Sequence, residues 1–173
     1  MGLNPEGKER SYMTIRYATM ADLDALAAVE AACFPSPEAA TRADFERRLR
    51  VYPDHFWLMF DGDRLIAFVD GFVTDIPDLS DKMYEKAEMH DARGAWQMIF
   101  GVNTIPEYRR RGCAGQLIRR AIGDAHAQGR RGLVLTCKDA LVHYYAGFGF
   151  VDEGRSDKSS HGGAVWNQMR LTF

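Results

Sequence analysis

Residues 105–117 read IPEYRRRGCAGQL, and the pattern of the chain changes on either side of them. Upstream, Ala95 to Ile105 (AWQMIFGVNTI) is the longest strand-like run. It places Trp96, Met98, Phe100 and Val102 on one face and Gln97, Ile99, Gly101 and Asn103 on the other. Downstream, Leu117, Ile118, Ala121, Ile122 and Ala125 recur with helical period, leaving Arg119, Arg120 and Asp124 off the apolar stripe. A strand that turns sharply into a helix leaves backbone N–H groups unpaired at the helix start, and with the helix dipole these form a ready site for phosphate. Arg109, Gly112 and Ala114 stand in the spacing R-x-x-G-x-A, where small residues admit close backbone approach, and Arg109, Arg110 and Arg111 add charge and donors. Pro106, with no N–H to lose, starts the turn. The spacing is neither that of a Walker loop nor G-x-G-x-x-G.

The other elements arrange themselves around this junction. Thr14 to Ala18 reads as a strand, and Thr19 followed by Asp22 starts a helix to about Ala32 that turns Leu23, Leu26 and Ala27 inward. CFPSPEAA (33–40) interrupts it through Pro35 and Pro37, and Thr41 with Asp44 starts a second helix bearing Phe45 and Leu49 on one side. His55 to Phe60 and Arg64 to Thr74 flank the turn Asp61-Gly62-Asp63 as a hairpin, with Ile66, Phe68, Asp70 and Phe72 on one face. Asp78 to Glu88 predicts a short helix, Leu133 to Cys137 a buried strand, Asp139 to Ala146 a short helix, and Gly163 to Leu171 a last strand. This order predicts an α+β (mixed α/β) domain.

The chain has 173 residues, 46% of them apolar, enough for a core without disulfides or structural metal. We expect residues 1–12 to form a flexible N-terminal arm and 13–173 a single domain. No apolar run approaches the roughly 20 residues that span a bilayer, so no membrane partner is expected. Cys33, Cys113 and Cys137 are widely spaced without a C-x-x-C pair, which suits free thiols in a cytoplasmic protein and gives no metal pattern. With 22 Lys and Arg against 24 Asp and Glu the net charge is −2, which disfavours a nucleic-acid partner although arginines crowd between Arg109 and Arg131.

The junction resembles motif A of the GNAT superfamily of acetyl-coenzyme A dependent N-acyltransferases, Q/R-x-x-G-x-G/A, whose backbone amides hold a pyrophosphate. Residues 133–150, LVLTCKDALVHYYAGFGF, look like the next part of that fold, with Tyr145 four residues before Gly149-Phe150. Within the superfamily, Cys137-Lys138-Asp139-Ala140-Leu141-Val142 and MHDARG (89–94) are most similar to the arylalkylamine (serotonin) N-acetyltransferases. The likeness covers 14–173 in element order and is specific over 89–150. It implies a GNAT-type fold: a central, mostly antiparallel mixed sheet of about seven strands flanked by helices. It further implies direct transfer of acetyl from acetyl-coenzyme A to a primary amine of a small molecule or an amino terminus. By the same resemblance, Val102 and Thr104 would pair with the pantetheine arm through backbone N–H groups. Arg109, Arg110, Arg111, Gly112, Cys113, Ala114 and Gly115 would hold the phosphates, and Tyr145 would be the general acid.

The base stays open. Arylalkylamine acetyltransferases carry two histidines on the long strand, and here Met98 and Phe100 occupy those positions. Asp70, whose apolar strand face would raise its pKa, His161 on a loop, His90, His143 and a water relay all remain candidates. Phe34 and Pro35, with Trp57 or Trp96 and with Met98 and Phe100, are expected to wall an acceptor pocket for a small-molecule amine. A homodimer is compatible with the sequence. The missing histidines also leave room for an alternative, a non-catalytic coenzyme A-binding protein.

Overall fold

Two runs that are continuous in sequence are broken in space, and the breaks create the site. A computed structural model describes residues 13–173; the expected N-terminal arm lies outside the described residues. The elements are β1 (Met13–Tyr17), α1 (Leu23–Cys33), α2 (Arg42–Val51), β2 (Phe56–Asp61), β3 (Arg64–Asp70), β4 (Val73–Thr74), α3 (Lys82–Glu85), β5 (Trp96–Ile99), β6 (Gly101–Thr104), α4 (Cys113–Ala127), β7 (Gly132–Cys137), α5 (Val142–Ala146), β8 (Val151–Arg155) and β9 (Asn167–Thr172). They form two sheets, an antiparallel one in the order β1-β2-β3-β6 and a mixed one in the order β4-β5-β7-β9-β8, in which β5 and β7 are parallel. The helices α1 and α4 both pack on β3 and β6.

The expected single sheet of about seven strands is therefore two sheets, because the Arg64 to Thr74 and Ala95 to Ile105 runs each change sheet midway. At the first break a Cβ on Gly71 would lie 1.8 Å from the Met98 carbonyl oxygen, so only glycine allows the backbones to cross. The Asp70 carbonyl accepts from the Phe100 N–H and the Phe72 carbonyl from the Met98 N–H, each at 2.8 Å. Phe100 is the second break. Before it the chain pairs with β7, after it with β3, and a gap opens between β6 and β7.

Helix starts follow the sequence closely. The Thr41 hydroxyl accepts from the Asp44 N–H at 3.1 Å while the Asp44 carboxylate accepts from the Thr41 N–H at 2.8 Å, a reciprocal cap that stabilises by about 1 kcal/mol. Thr19 and Asp22 repeat the arrangement ahead of α1. The predicted helix over Asp78 to Glu88 shortens to α3 with a single 3-10 turn after it, and the last strand begins at Asn167 rather than Gly163. The reason for the later start is local. Gly162 and Gly163 have consecutive φ of 65° and 74°, a left-handed turn that delays the strand and brings His161 back over the molecule.

Candidate active site

The junction folds as a glycine-led helix start with free backbone donors. Gly112, at φ 78°, precedes α4, and Arg110 two residues earlier also has positive φ, at 63°. The ladder of α4 opens with the Gln116 N–H donating to the Gly112 carbonyl at 3.1 Å, which leaves the N–H groups of Cys113, Ala114 and Gly115 outside it. A Cβ on Gly112 would meet nothing within 4 Å, so its positive φ and not crowding is what favours glycine there. A cavity of about 560 Å³ runs here along Val102, Thr104, Tyr108, Arg109, Arg110 and 112–115 to Tyr144 and Tyr145. The three arginines part company. Arg109 donates through Nε to the Thr104 carbonyl at 3.0 Å, Arg111 lies on the Tyr108 ring at 4.8 Å off the cavity wall, and Arg110 lines the cavity.

Strand alternation prepares the other wall. β6 is the edge of its sheet, and its register with β3, continued by the Ile105 N–H to the Ile66 carbonyl at 2.9 Å, turns Gly101, Asn103 and Ile105 into the ladder. Val102 and Thr104 consequently aim their peptide groups into the gap. The Thr104 carbonyl is taken there by Arg109 and by Cys33 Sγ at 3.3 Å, while its buried Oγ1 has no partner among the described residues. Open-side amides, an orphaned hydroxyl and a helix start together suit an extended arm ending in phosphates.

A second cavity, of about 620 Å³, lies beyond the break and falls in the range of small-molecule sites. It meets the first at Cys33, Phe34, Val102, Leu141 and Tyr145, which line both. Phe34, Pro35 and Phe100 wall it as expected. Met98, Trp57 and Trp96, expected beside them, line neither cavity. Met98 is wholly buried in the core, the Trp57 indole donates to Asp124 at 2.8 Å, and Trp96 is covered by Arg131 and Arg170. Tyr84 and Trp166 supply aromatic surface instead.

His161, Asp70 and Tyr145 all reach this cavity, whereas His90 and His143 do not. The His161 ring stacks on Tyr84 at 4.6 Å with 10° between planes, and its Nε2 lies 2.6 Å from the Glu38 carbonyl. A carbonyl only accepts, so Nε2 carries the proton and Nδ1 is the basic nitrogen. The loop bearing it is tied down by Asp81, which accepts from the Ser160 N–H at 2.9 Å and from both the Ser159 and Ser160 hydroxyls at 3.1 Å. Asp70 is buried and pairs with the equally buried Arg48 at 3.0 Å; burial still drives its carboxyl above the ordinary range. Arg48 also donates to the Tyr84 carbonyl at 3.0 Å. Burial pushes the Tyr145 hydroxyl far above the usual phenol range, so it keeps its proton at every working pH.

Glu30 and Arg48 were not singled out from the sequence, although a signal exists for both. Leu23, Leu26 and Glu30 fall at i, i+3 and i+7, and Phe45, Arg48 and Leu49 at i, i+3 and i+4, so each puts a charge on an apolar stripe. Both side chains are buried where the helices meet the break.

The model of the acetyltransferase (GNAT) family matches residues 23–150. No curated protein sequence matches the chain. Among solved structures, the loading GNATL domain of CurA from Lyngbya majuscula is similar at a TM-score of 0.79 and 16% identity, covering 93% of this chain and 98% of its own. The GphF GNAT-like decarboxylase in complex with isobutyryl-CoA gives 0.78 and 22%, over 92% and 98%. A GNAT family acetyltransferase from Brucella melitensis in complex with acetyl-CoA gives 0.61 and 17%, over 95% and 90%. At these identities the likeness is one of fold. The family match spans the junction, the break at Phe100 and the Tyr145 turn, and the chain belongs to the acetyltransferase (GNAT) family.

Proposed function

We propose that the protein is an acetyl-coenzyme A dependent N-acetyltransferase that moves the acetyl group directly onto a small primary amine. The observation that carries this reading is the meeting of two differently built cavities at Val102 and Tyr145. One offers backbone donors suited to a pantetheine arm and its phosphates; the other is walled by aromatic rings and acids. When bound, the coenzyme would supply an activated acetyl thioester. The chain's own residues would hold it by the amides of Val102, Thr104 and 113–115. Tyr145, at the meeting point and always protonated, would hydrogen-bond the departing sulfur.

The charge of the second cavity favours a cation. Glu30, Glu38, Asp44, Asp70, Asp81 and Glu85 line it against Arg48 and Lys138. Both of those cations are already paired, Arg48 with Asp70 and Lys138 with Glu38 at 2.7 Å. An ammonium group is drawn to such a cavity, and a carboxylate is repelled. Phe34, Tyr84, Phe100 and Trp166 offer ring faces to an apolar or aromatic body, which supports the arylalkylamine-like subgroup suggested by residues 89–94 and 137–142.

The test is mass spectrometry of products after incubating protein and acetyl-coenzyme A with a panel of aliphatic, aromatic and peptide amines. An N-acetylated product from a small amine, formed one for one with free thiol, is expected. The non-catalytic reading draws on Met98 and Phe100 standing where the resemblance expects histidines. It predicts coenzyme A binding with thiol release indifferent to every amine.

A further inference from the structure

We propose that Glu30 takes the proton of the acceptor's ammonium group, at a cradle that Glu30, Asp70 and Asn103 form around Gly101. The assignment rests on the amine reading above.

The geometry begins with an absent side chain. A methyl group on Gly101 would sit 3.0 Å from Asp70 Oδ1, 3.0 Å from Asn103 Nδ2 and 3.5 Å from Glu30 Oε1. Three polar side chains therefore converge beside Gly101, on space that any side chain at that position would crowd, at the first residue after the break. Asp70 Oδ1 has no partner among the described residues, and the Asn103 amide faces the Glu30 carboxyl, although Asp70 and Asn103 are each only 1% exposed. A buried polar atom left without a partner is costly. A cradle that retains the unpaired Asp70 oxygen beside Glu30 and Asn103 is built to receive something polar. An ammonium group fits, because its three N–H donors can meet Glu30, Asp70 and, with the amide turned over, the Asn103 oxygen. The acceptor cavity reaches Glu30, Asp70 and Gly101, so an amine can arrive there from the aromatic vestibule.

Charge balance singles out Glu30 from the two acids. One guanidinium, Arg48, serves both carboxyls, and it is committed to Asp70 Oδ2 at 3.0 Å. The titratable groups facing Glu30 are Asp70 on β3, Arg48 on α2 and Cys33 on its own helix. Tyr52 and Asp44 face Arg48 from behind, and the Tyr84 carbonyl holds its second arm. Burial first, and the neighbouring Asp70 charge second, push the Glu30 carboxyl up to about 8. Against an alkylammonium near ~10.4, that reduces the mismatch for proton transfer from about six pK units to about two.

The step balances. One ammonium proton passes to a Glu30 oxygen, the freed nitrogen lone pair forms the C–N bond to the acyl carbon, and the C–S bond breaks. Tyr145 hydrogen-bonds the departing sulfur, which takes the second N–H proton by way of solvent, while Glu30 returns its proton to water.

The test is the pH profile of kcat/KM for whichever small amine the wild type acetylates. In the wild type, kcat/KM should rise with pH through about 8, where Glu30 loses its proton. Glu30→Gln should abolish that rise and cost about 10²-fold or more in kcat/KM while coenzyme A affinity stays within about twofold; Glu30→Asp should restore part of the rate. Gly101→Ala, which fills the cradle, should raise KM for the amine by about tenfold or more with coenzyme A affinity kept. An unchanged limb in Glu30→Gln together with an unchanged KM in Gly101→Ala overturns the assignment alone. A wild type that binds coenzyme A and acetylates no amine overturns the amine reading and this assignment with it.

Discussion

The two cavities are made of different materials. The cavity proposed for the cofactor is mainly backbone: peptide groups of an edge strand and the first turn of one helix, between Val102 and Gly115. The cavity proposed for the acceptor is side chain: Glu30 from α1, Arg48 from α2, Asp70 from β3, Tyr84 from α3, Lys138 after β7 and His161 with Trp166 from the returning loop. A backbone site needs only local conformation and small residues, so it tolerates change in the rings and charges around it. A side-chain site depends on every contributor being held at depth by the others. The cofactor cavity is therefore expected to persist under mutations that empty or unfold the acceptor cavity.

The sharpest way to break that contrast is Arg48→Ala. It strands Asp70 as a buried carboxylate and should destabilise by about 3–5 kcal/mol in urea unfolding, more than any single substitution in the phosphate loop. The double change Arg48→Met with Asp70→Leu should recover part of that loss, since the Asp70 charge is gone and the buried Glu30 carboxyl can stay protonated. On the cofactor side, Gly112→Glu places a β-carbon at φ 78° and a negative charge before the helix start. The melting-temperature rise caused by coenzyme A should vanish, while urea unfolding of the free protein moves by only about 1–2 kcal/mol.

Where the cavities meet, Tyr145→Phe should lower kcat by about 10²-fold with coenzyme A affinity nearly intact. Tyr144→Phe, at a half-exposed ring packed edge-on against Tyr145, should change kcat by less than about threefold. The smallest effect lies outside both cavities. Burial and the nearby His55 ring lower His90 to about 4, below the ordinary histidine value near ~6.5. Its folded form binds fewer protons than the unfolded chain between those values, so its contribution to stability is full above about 6.5 and is lost as pH falls toward 4. The melting temperature should drop between pH 7 and 5, and His90→Gln should reduce that drop.

The same contrast explains what could be read from the sequence. The hydroxyl-and-acid pairs Thr19/Asp22 and Thr41/Asp44 announced two helices because capping is local, and R-x-x-G-x-A announced the helix start at Gly112 because it too is local. The division into two sheets was hidden, since Phe100 and Gly71 break their strands for reasons that lie in the partner strand, where the Met98 carbonyl approaches too closely for a side chain. Phe34 and Pro35, read from a loop position, line the second cavity. Met98 lies in the core because it precedes the break and stays paired with β7, whereas Phe100 and Val102 of the same predicted face follow the break into the cavity. Glu30 and Arg48 were legible only as charges on apolar stripes, and the sequence pattern does not bring α1, α2 and β3 together.

The central claim is that the two cavities form one continuous path from phosphate cradle to acidic pocket through Val102 and Tyr145. Calorimetry with coenzyme A and with a conjugate carrying an arylalkylamine joined through an acetyl bridge to its sulfur tests this directly. If the path is continuous, the conjugate fills both cavities and binds at least about 10²-fold more tightly than coenzyme A. Equal affinity of the two ligands would mean that the cavities do not communicate, and would contradict the account.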